Sequence, residues 1–127
     1  MQTIKASDLR IGNLIWDSEE NKYFEVEQLK KYVGSEIWVF YRNGSIKCKE
    51  VEPIPLTEEW LLKFGFEKNS YWYKDDNLIR FVFDDNGWLH CSIGDNDKGI
   101  LYNKIKFVHQ LQNLYFALNN EELEFKQ

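Results

Sequence analysis

Apolar and polar positions first alternate with a period of two and only later with a period near 3.6. Between residues 13 and 56, the runs "NLIWD", "KYFEVEQL", "EIWVFYR" and "SIKCKEVE" are rich in β-branched and aromatic residues. Polar or glycine-containing breaks separate them, which predicts four short strands. Ile46 and Cys48 alternate with Lys47 and Lys49, so Cys48 is expected on the inner face. "RNGS" predicts a tight hairpin with positive φ at Asn43-Gly44. A meander or small SH3-like barrel is the expected architecture of residues 1–56.

Pro53 and Pro55 cannot donate ladder hydrogen bonds, so they mark the end of that sheet. "PIPLTEEWLLKFGF" then opens a two-turn helix over 58–64, with Thr57 as N-cap, Glu58 and Glu59 in its first turn and Gly65 as its left-handed stop. "SYWYKDD", "NLIRFVFDD", "GWLHCSIGD" and "GILYNK" predict an antiparallel meander, with a hairpin turn at Asp85-Asn86-Gly87. A helix near 107–118 and an acidic tail follow. The fold class expected is therefore α+β: an N-terminal SH3-like small β-barrel (1–56), then a short linking helix and an antiparallel β-meander packed on a C-terminal helix (57–127), the two forming one compact unit.

Composition agrees with the strand-rich pattern. Alanine occurs only at Ala6 and Ala117, while aromatic residues make up 17% of the chain. At 127 residues the chain is long enough to bury a core without disulfide or metal staples. The net charge of −5 supplies no broad basic field for phosphates, which disfavours nucleic acid. Cys48 and Cys91 lie far apart in sequence with no CxxC or zinc spacing, so they are expected as reduced, buried thiols. Neither a leader pattern nor a membrane-spanning run is apparent, and a cytoplasmic, soluble protein is expected.

Chemistry-bearing motifs are few. Glu58-Glu59 point about 100° apart on a helix, and the helix dipole already accounts for them. "GDNDKG" at 94–99 resembles a calcium loop at first sight, but Gly99 and Lys106 stand where acidic ligands belong. His90 and Cys91 are strand neighbours that face opposite sides of a sheet. With no nucleophile elbow, phosphate loop or metal-binding helix motif, neither catalysis, a cofactor nor a metal is expected. Trp16, Trp38, Tyr41, Lys47 and Lys49 are candidates for base stacking in a small barrel, weighed against the need of any small domain for aromatic core residues.

The terminal helix holds the main question. At 100° per residue, Val108, Leu111, Leu114, Tyr115 and Leu118 form an apolar arc, leaving His109, Gln112, Asn113 and Phe116 opposite. A face that only had to be soluble would more typically carry Lys and Glu. Two explanations compete: the helix is sandwiched between the two β units, both faces largely buried and the amides satisfying backbone groups of an adjoining loop or sheet edge, or the face lines a pocket or protein interface with Phe116 as anchor. His109, Gln112, Asn113 and Phe116 are thus the candidate ligand- or partner-binding residues. Trp60, Trp72 and Tyr73 join them, because a crevice between the first helix and the meander is a natural ligand site.

"PIPLTEEWLLKFGFEK" and "VHQLQNLYFALNNEEL", with the opening "DLRIGNLIW", resemble segments shared by small uncharacterised proteins of phages and mobile elements of the Bacteroidetes group. The resemblance spans nearly the whole chain. Asn119-Asn120 stand where that group usually has Thr-Gly, and Asn still permits a left-handed cap. The resemblance implies a setting rather than a reaction: a non-catalytic binding protein in a host cytoplasm, acting in counter-defence by sequestering a host signalling nucleotide or binding a host protein. A nucleic-acid-binding accessory module using the small barrel is the alternative, and a protein-interaction or structural adaptor the second. A host protein or a small nucleotide-like ligand is expected as partner ahead of nucleic acid. No membrane is expected, and a homo-oligomer stays open.

Overall fold

Side chains of two small antiparallel sheets meet over one apolar core at the N-terminal end of the chain. The computed structural model describes residues 4–34, 36–74, 79–93 and 100–124, with backbone alone at 93 and 100–104. Strands β1 (Leu14–Asp17) and β2 (Lys22–Glu25) form a two-stranded ribbon. Strands β3 (Gln28–Lys31), β4 (Ile37–Tyr41) and β5 (Gly44–Lys47) form a three-stranded sheet in that order. Ile15 and Phe24 from the ribbon and Val39 and Ile46 from the sheet share the core with Val26 and Val51. Among the described residues these ladders do not close into a barrel.

"KYFEVEQL" is two strands rather than one, because β2 ends at Glu25 and Val26 turns its backbone N–H to the carbonyl of Asn13. "SIKCKEVE" ends as a strand at Lys47, and Cys48–Glu50 form a 3₁₀ turn that keeps Cys48 buried, as its alternation predicted. The hairpin between β4 and β5 corrects the turn expected from "RNGS". Arg42 and Asn43 are its loop residues, Gly44 pairs with Tyr41, and neither Asn43 nor Gly44 has positive φ. Glycine suits the close approach there: a Cβ at residue 44 would lie 3.0 Å from the Tyr41 hydroxyl, so the Tyr41 ring would have to give way slightly.

Helix α1 (Glu58–Lys63) begins as its sequence predicted, with the Thr57 side chain accepting from the Trp60 N–H. It ends in a Schellman arrangement: the Phe66 N–H bonds to the Leu61 carbonyl, the Gly65 N–H bonds to the Leu62 carbonyl, and Gly65 has φ 87°. A short β6 (Glu67–Lys68), which the apolar pattern gave no sign of, then pairs with β7 (Trp72–Tyr73). Strands β8 (Ile79–Phe83), β9 (Leu89–Ile93) and β10 (Ile100–Ile105) complete a five-stranded antiparallel meander. The β8–β9 turn is the expected one, with Gly87 at φ 83° and the Asp84 carboxylate accepting from the N–H groups of Asn86 and Trp88.

Helix α2 (Val108–Asn119) ends on Asn120 at φ 55°, the left-handed cap that Asn tolerates. Val108, Leu111 and Tyr115 are buried and Leu114 is half-buried, whereas Leu118, placed by periodicity on the same arc, is 36% exposed at the helix end.

The chain divides into two compact units, Met1–Pro55 with Phe107–Glu122, and Leu56–Lys106 with Leu123–Gln127. The boundary expected after residue 56 falls at Pro55, but α2 lies on its other side. The helix packs on β1 within the N-terminal unit. The Val108 N–H bonding to the Ile54 carbonyl fixes where that helix starts. Overall the chain is α+β with antiparallel sheets and a C-terminal helix.

Replacing Gly65 by alanine forces a Cβ into positive φ and to 2.9 Å from the Lys74 Nζ. The expected loss is about 1 kcal/mol or slightly more, read by urea unfolding; an unchanged midpoint would refute this account of the α1 stop.

Candidate functional site

The polar side of α2 is covered by chain. Gln112 is 3% exposed, and its side-chain oxygen accepts from the Leu14 N–H at 2.8 Å while its amide nitrogen donates to the Gly12 carbonyl at 3.1 Å. Asn113 donates to the Asp8 carbonyl at 2.8 Å and accepts from Asn13 Nδ2 at 2.8 Å and from the Arg10 guanidinium at 2.9 Å. The same guanidinium pairs with Glu122 and stacks 4.2 Å from the centre of the Phe116 ring. Three of the predicted residues, Gln112, Asn113 and Phe116, are therefore neighbours, as helical spacing requires, and their work is to fasten α2 to the segment 8–14. The first of the two competing explanations accounts for the amides: unpaired backbone groups of an adjoining loop find their partners there.

His109, 4% exposed, completes that face. Its ring stacks on Phe107 with centroids 6.0 Å apart, and its Nδ1 has no hydrogen-bond partner among the described residues. Burial drives its pKa down to about 4, against a smaller opposing pull from Asp8, so the imidazole is neutral near pH 7.

Trp60, Trp72 and Tyr73 lie in the other unit. Trp72 is buried, with Lys68 Nζ 5.6 Å from its ring centre. Trp60 is half-buried, 6.0 Å from the Phe64 ring and 4.9 Å from Lys63 Nζ, and Tyr73 meets Tyr71 edge-on at 5.9 Å. Each has neighbours that explain its position, and none of the three lines the cavity described next.

That cavity has a volume of about 300 Å³ and is lined by Ile4, Ala6, Glu36, Ile37, Lys47, Cys48 and Lys49. Ile4, Ala6, Ile37 and Cys48 give it an apolar floor, and Glu36, Lys47 and Lys49 give it a charged rim. Lys47 Nζ sits 3.2 Å from Glu36 Oε1 and 5.7 Å from the centre of the Trp38 ring. Lys47 and Lys49 had drawn notice in the sequence as partners for bases, but Ile4, Ala6 and Glu36 carried no local signal. Three chain segments far apart in sequence create the concavity.

Other reactive groups are held quiet. Burial pushes the Cys91 thiol up to about 11, and burial with a contribution from Asp8 also raises that of Cys48, so both are poor nucleophiles near neutrality. The Cys48 Sγ lies 3.6 Å from the Ile4 carbonyl. The hydrogen bond from His90, at 2.7 Å, is the main cause holding the Asp84 carboxyl below its usual range. Among the described residues no three His, Cys, Asp or Glu side chains converge to hold a metal ion. The "GDNDKG" loop lies outside the described residues. No helix among those described is long and apolar enough to cross a membrane. No protein-family model, curated protein or solved structure matches the chain.

Two outcomes follow from the α2 face. Gln112→Ala strands the Leu14 N–H and the Gly12 carbonyl, and is expected to cost about 2–4 kcal/mol in urea unfolding. A loss under about 0.5 kcal/mol would show that water replaces the amide. For His109 the depressed folded pKa means that the unfolded chain binds the proton first. Its stabilising contribution is full above about pH 6.5 and is lost as pH falls towards 4, by on the order of 3 kcal/mol in all. The difference in unfolding free energy between wild type and His109→Leu, measured from pH 7 to 4, should follow that slope; a pH-independent difference would contradict it.

Proposed function

We infer that this chain is a non-catalytic binding protein, of the accessory kind that phages and mobile elements carry in a host cytoplasm. Its ligand is a small nucleotide-like anion, and withholding a host signalling nucleotide, a form of counter-defence, is the role this reading favours. One observation carries it: the cavity of about 300 Å³ with an apolar floor and Lys47 and Lys49 on its rim. An apolar floor accepts the face of a base, Lys49 and, on leaving Glu36, Lys47 neutralise phosphate, and the volume lies at the small end of ligand pockets. The quiet thiols agree with binding rather than turnover. In this reading the N-terminal strands are an SH3-like small barrel, supported by the single core that the ribbon and the three-stranded sheet share.

The ligand contacts then belong to Ile37, Lys47 and Lys49, while His109, Gln112, Asn113 and Phe116 hold the framework behind them. Native mass spectrometry of the purified protein with millimolar AMP, UMP or cyclic AMP tests this. A one-to-one adduct that disappears in Lys47→Ala/Lys49→Ala is the expected result, with a matching rise in thermal stability for wild type alone. A clean apo mass with all three nucleotides would overturn the reading in favour of a host protein as partner.

A further inference from the structure

The outward face of the three-stranded sheet continues from the cavity rim, and its side chains have an order of their own. Leu29, Val39 and Ile46 are aligned across β3, β4 and β5 on the inward side. The alternate positions form two outward rows, Lys30–Trp38–Lys47 and Gln28–Phe40–Ser45. Trp38 and Phe40 therefore stand side by side on the central strand, about 7 Å apart along it. Tyr32, more than a third exposed, extends the aromatic surface, meeting Trp38 edge-on at 6.3 Å with Lys30 Nζ 5.1 Å from its own ring centre.

Two lysines stand on this face. Lys30 and Lys47 flank Trp38 in the outward row, Lys47 also pairing with Glu36, and Lys49 follows just after β5, in a protein whose net charge is −5. A basic region that is aromatic on its outward face is complementary to one class of polymer, a phosphate backbone with exposed bases. A double strand hides its bases inside, so rings on a sheet face have use only for a single strand. Lys47 belongs both to the cavity rim and to the Trp38 row, and so joins the two surfaces.

We propose that the ligand of this site is a single-stranded oligonucleotide, with one nucleotide at the cavity and the next bases stacked on Trp38 and Phe40. The inference rests on the nucleotide-binding reading of the cavity and enlarges its ligand class. Lys47 releases Glu36 to meet the phosphate between the first and second nucleotides, and Lys30 meets a later one. The acidic remainder of the protein opposes the strand elsewhere, which confines it to this face, and counterions released at the lysine–phosphate contacts make binding weaken as salt rises.

Fluorescence titration of the full chain with uridine monophosphate, hexauridylate and hexathymidylate tests the proposal. At least one hexamer should bind tenfold or more tighter than the mononucleotide. Trp38→Leu should remove about tenfold of hexamer affinity while leaving the mononucleotide within about twofold. Lys30→Ala, an exposed substitution that spares the fold, should lower the salt slope of hexamer binding by about one. Equal affinity for monomer and hexamers, or hexamer binding indifferent to both substitutions, would overturn the proposal and leave the mononucleotide pocket standing. Failure of both hexamers to bind would likewise overturn the proposal, and the mononucleotide reading then stands or falls on the adducts with AMP, UMP and cyclic AMP.

Discussion

The N-terminal unit depends on the insertion of two side-chain amides, Gln112 and Asn113, into the segment before β1. That segment turns sharply between the 3₁₀ turn at Ala6–Asp8 and the first strand, leaving the carbonyls of Asp8 and Gly12 and the N–H of Leu14 with no partner in a sheet. The Leu14 N–H is buried and the Gly12 carbonyl partly so, and leaving them unpaired would cost on the order of a few kcal/mol. An amide can donate and accept at once, which a lysine or glutamate cannot, and so one helix face meets all three demands. The contact joins residues about 100 apart in sequence and ties the last helix to the first strand.

Other features of the unit follow from that attachment. Arg10 is held by Asn113 and Glu122 and lies over Phe116, so the exposed end of the helix face is closed by a cation rather than left open. His109 is buried against Phe107 and kept neutral by desolvation. Elsewhere in the unit Ile4 and Ala6 lie beside β4 and the end of β5, and the cavity with the rim of Glu36, Lys47 and Lys49 results. The ligand contacts proposed at the cavity are thus separate from the residues that build the frame. Buried amides need fixed geometry, whereas lysines at a rim need freedom to meet a phosphate.

Local signals were legible wherever a few neighbouring residues decide the backbone. Thr57, the Gly65 stop, the Asp85-Asn86-Gly87 turn and the inward Cys48 are all as expected, because caps, left-handed stops and strand alternation are settled within a span of a few residues. The "RNGS" turn was misread because Gly44 answers to the Tyr41 ring across the hairpin rather than to φ. Among the candidate residues, periodicity correctly grouped His109, Gln112, Asn113 and Phe116, but it could not say what would cover them. The cavity was illegible because its floor comes from Ile4, Ala6 and Ile37, each an unremarkable apolar residue in its own segment.

The sequence by itself determined the class α+β, the order and type of nearly all elements, and which residues share a face, since these are fixed by side-chain period and turn chemistry. Tertiary structure alone decided that α2 joins the N-terminal unit and that its amides are consumed in doing so. It also decided that the basic and aromatic residues of β3 to β5 lie in rows beside a cavity. Those outcomes depend on which distant backbone groups are left unpaired and which strands align, and no local pattern records either.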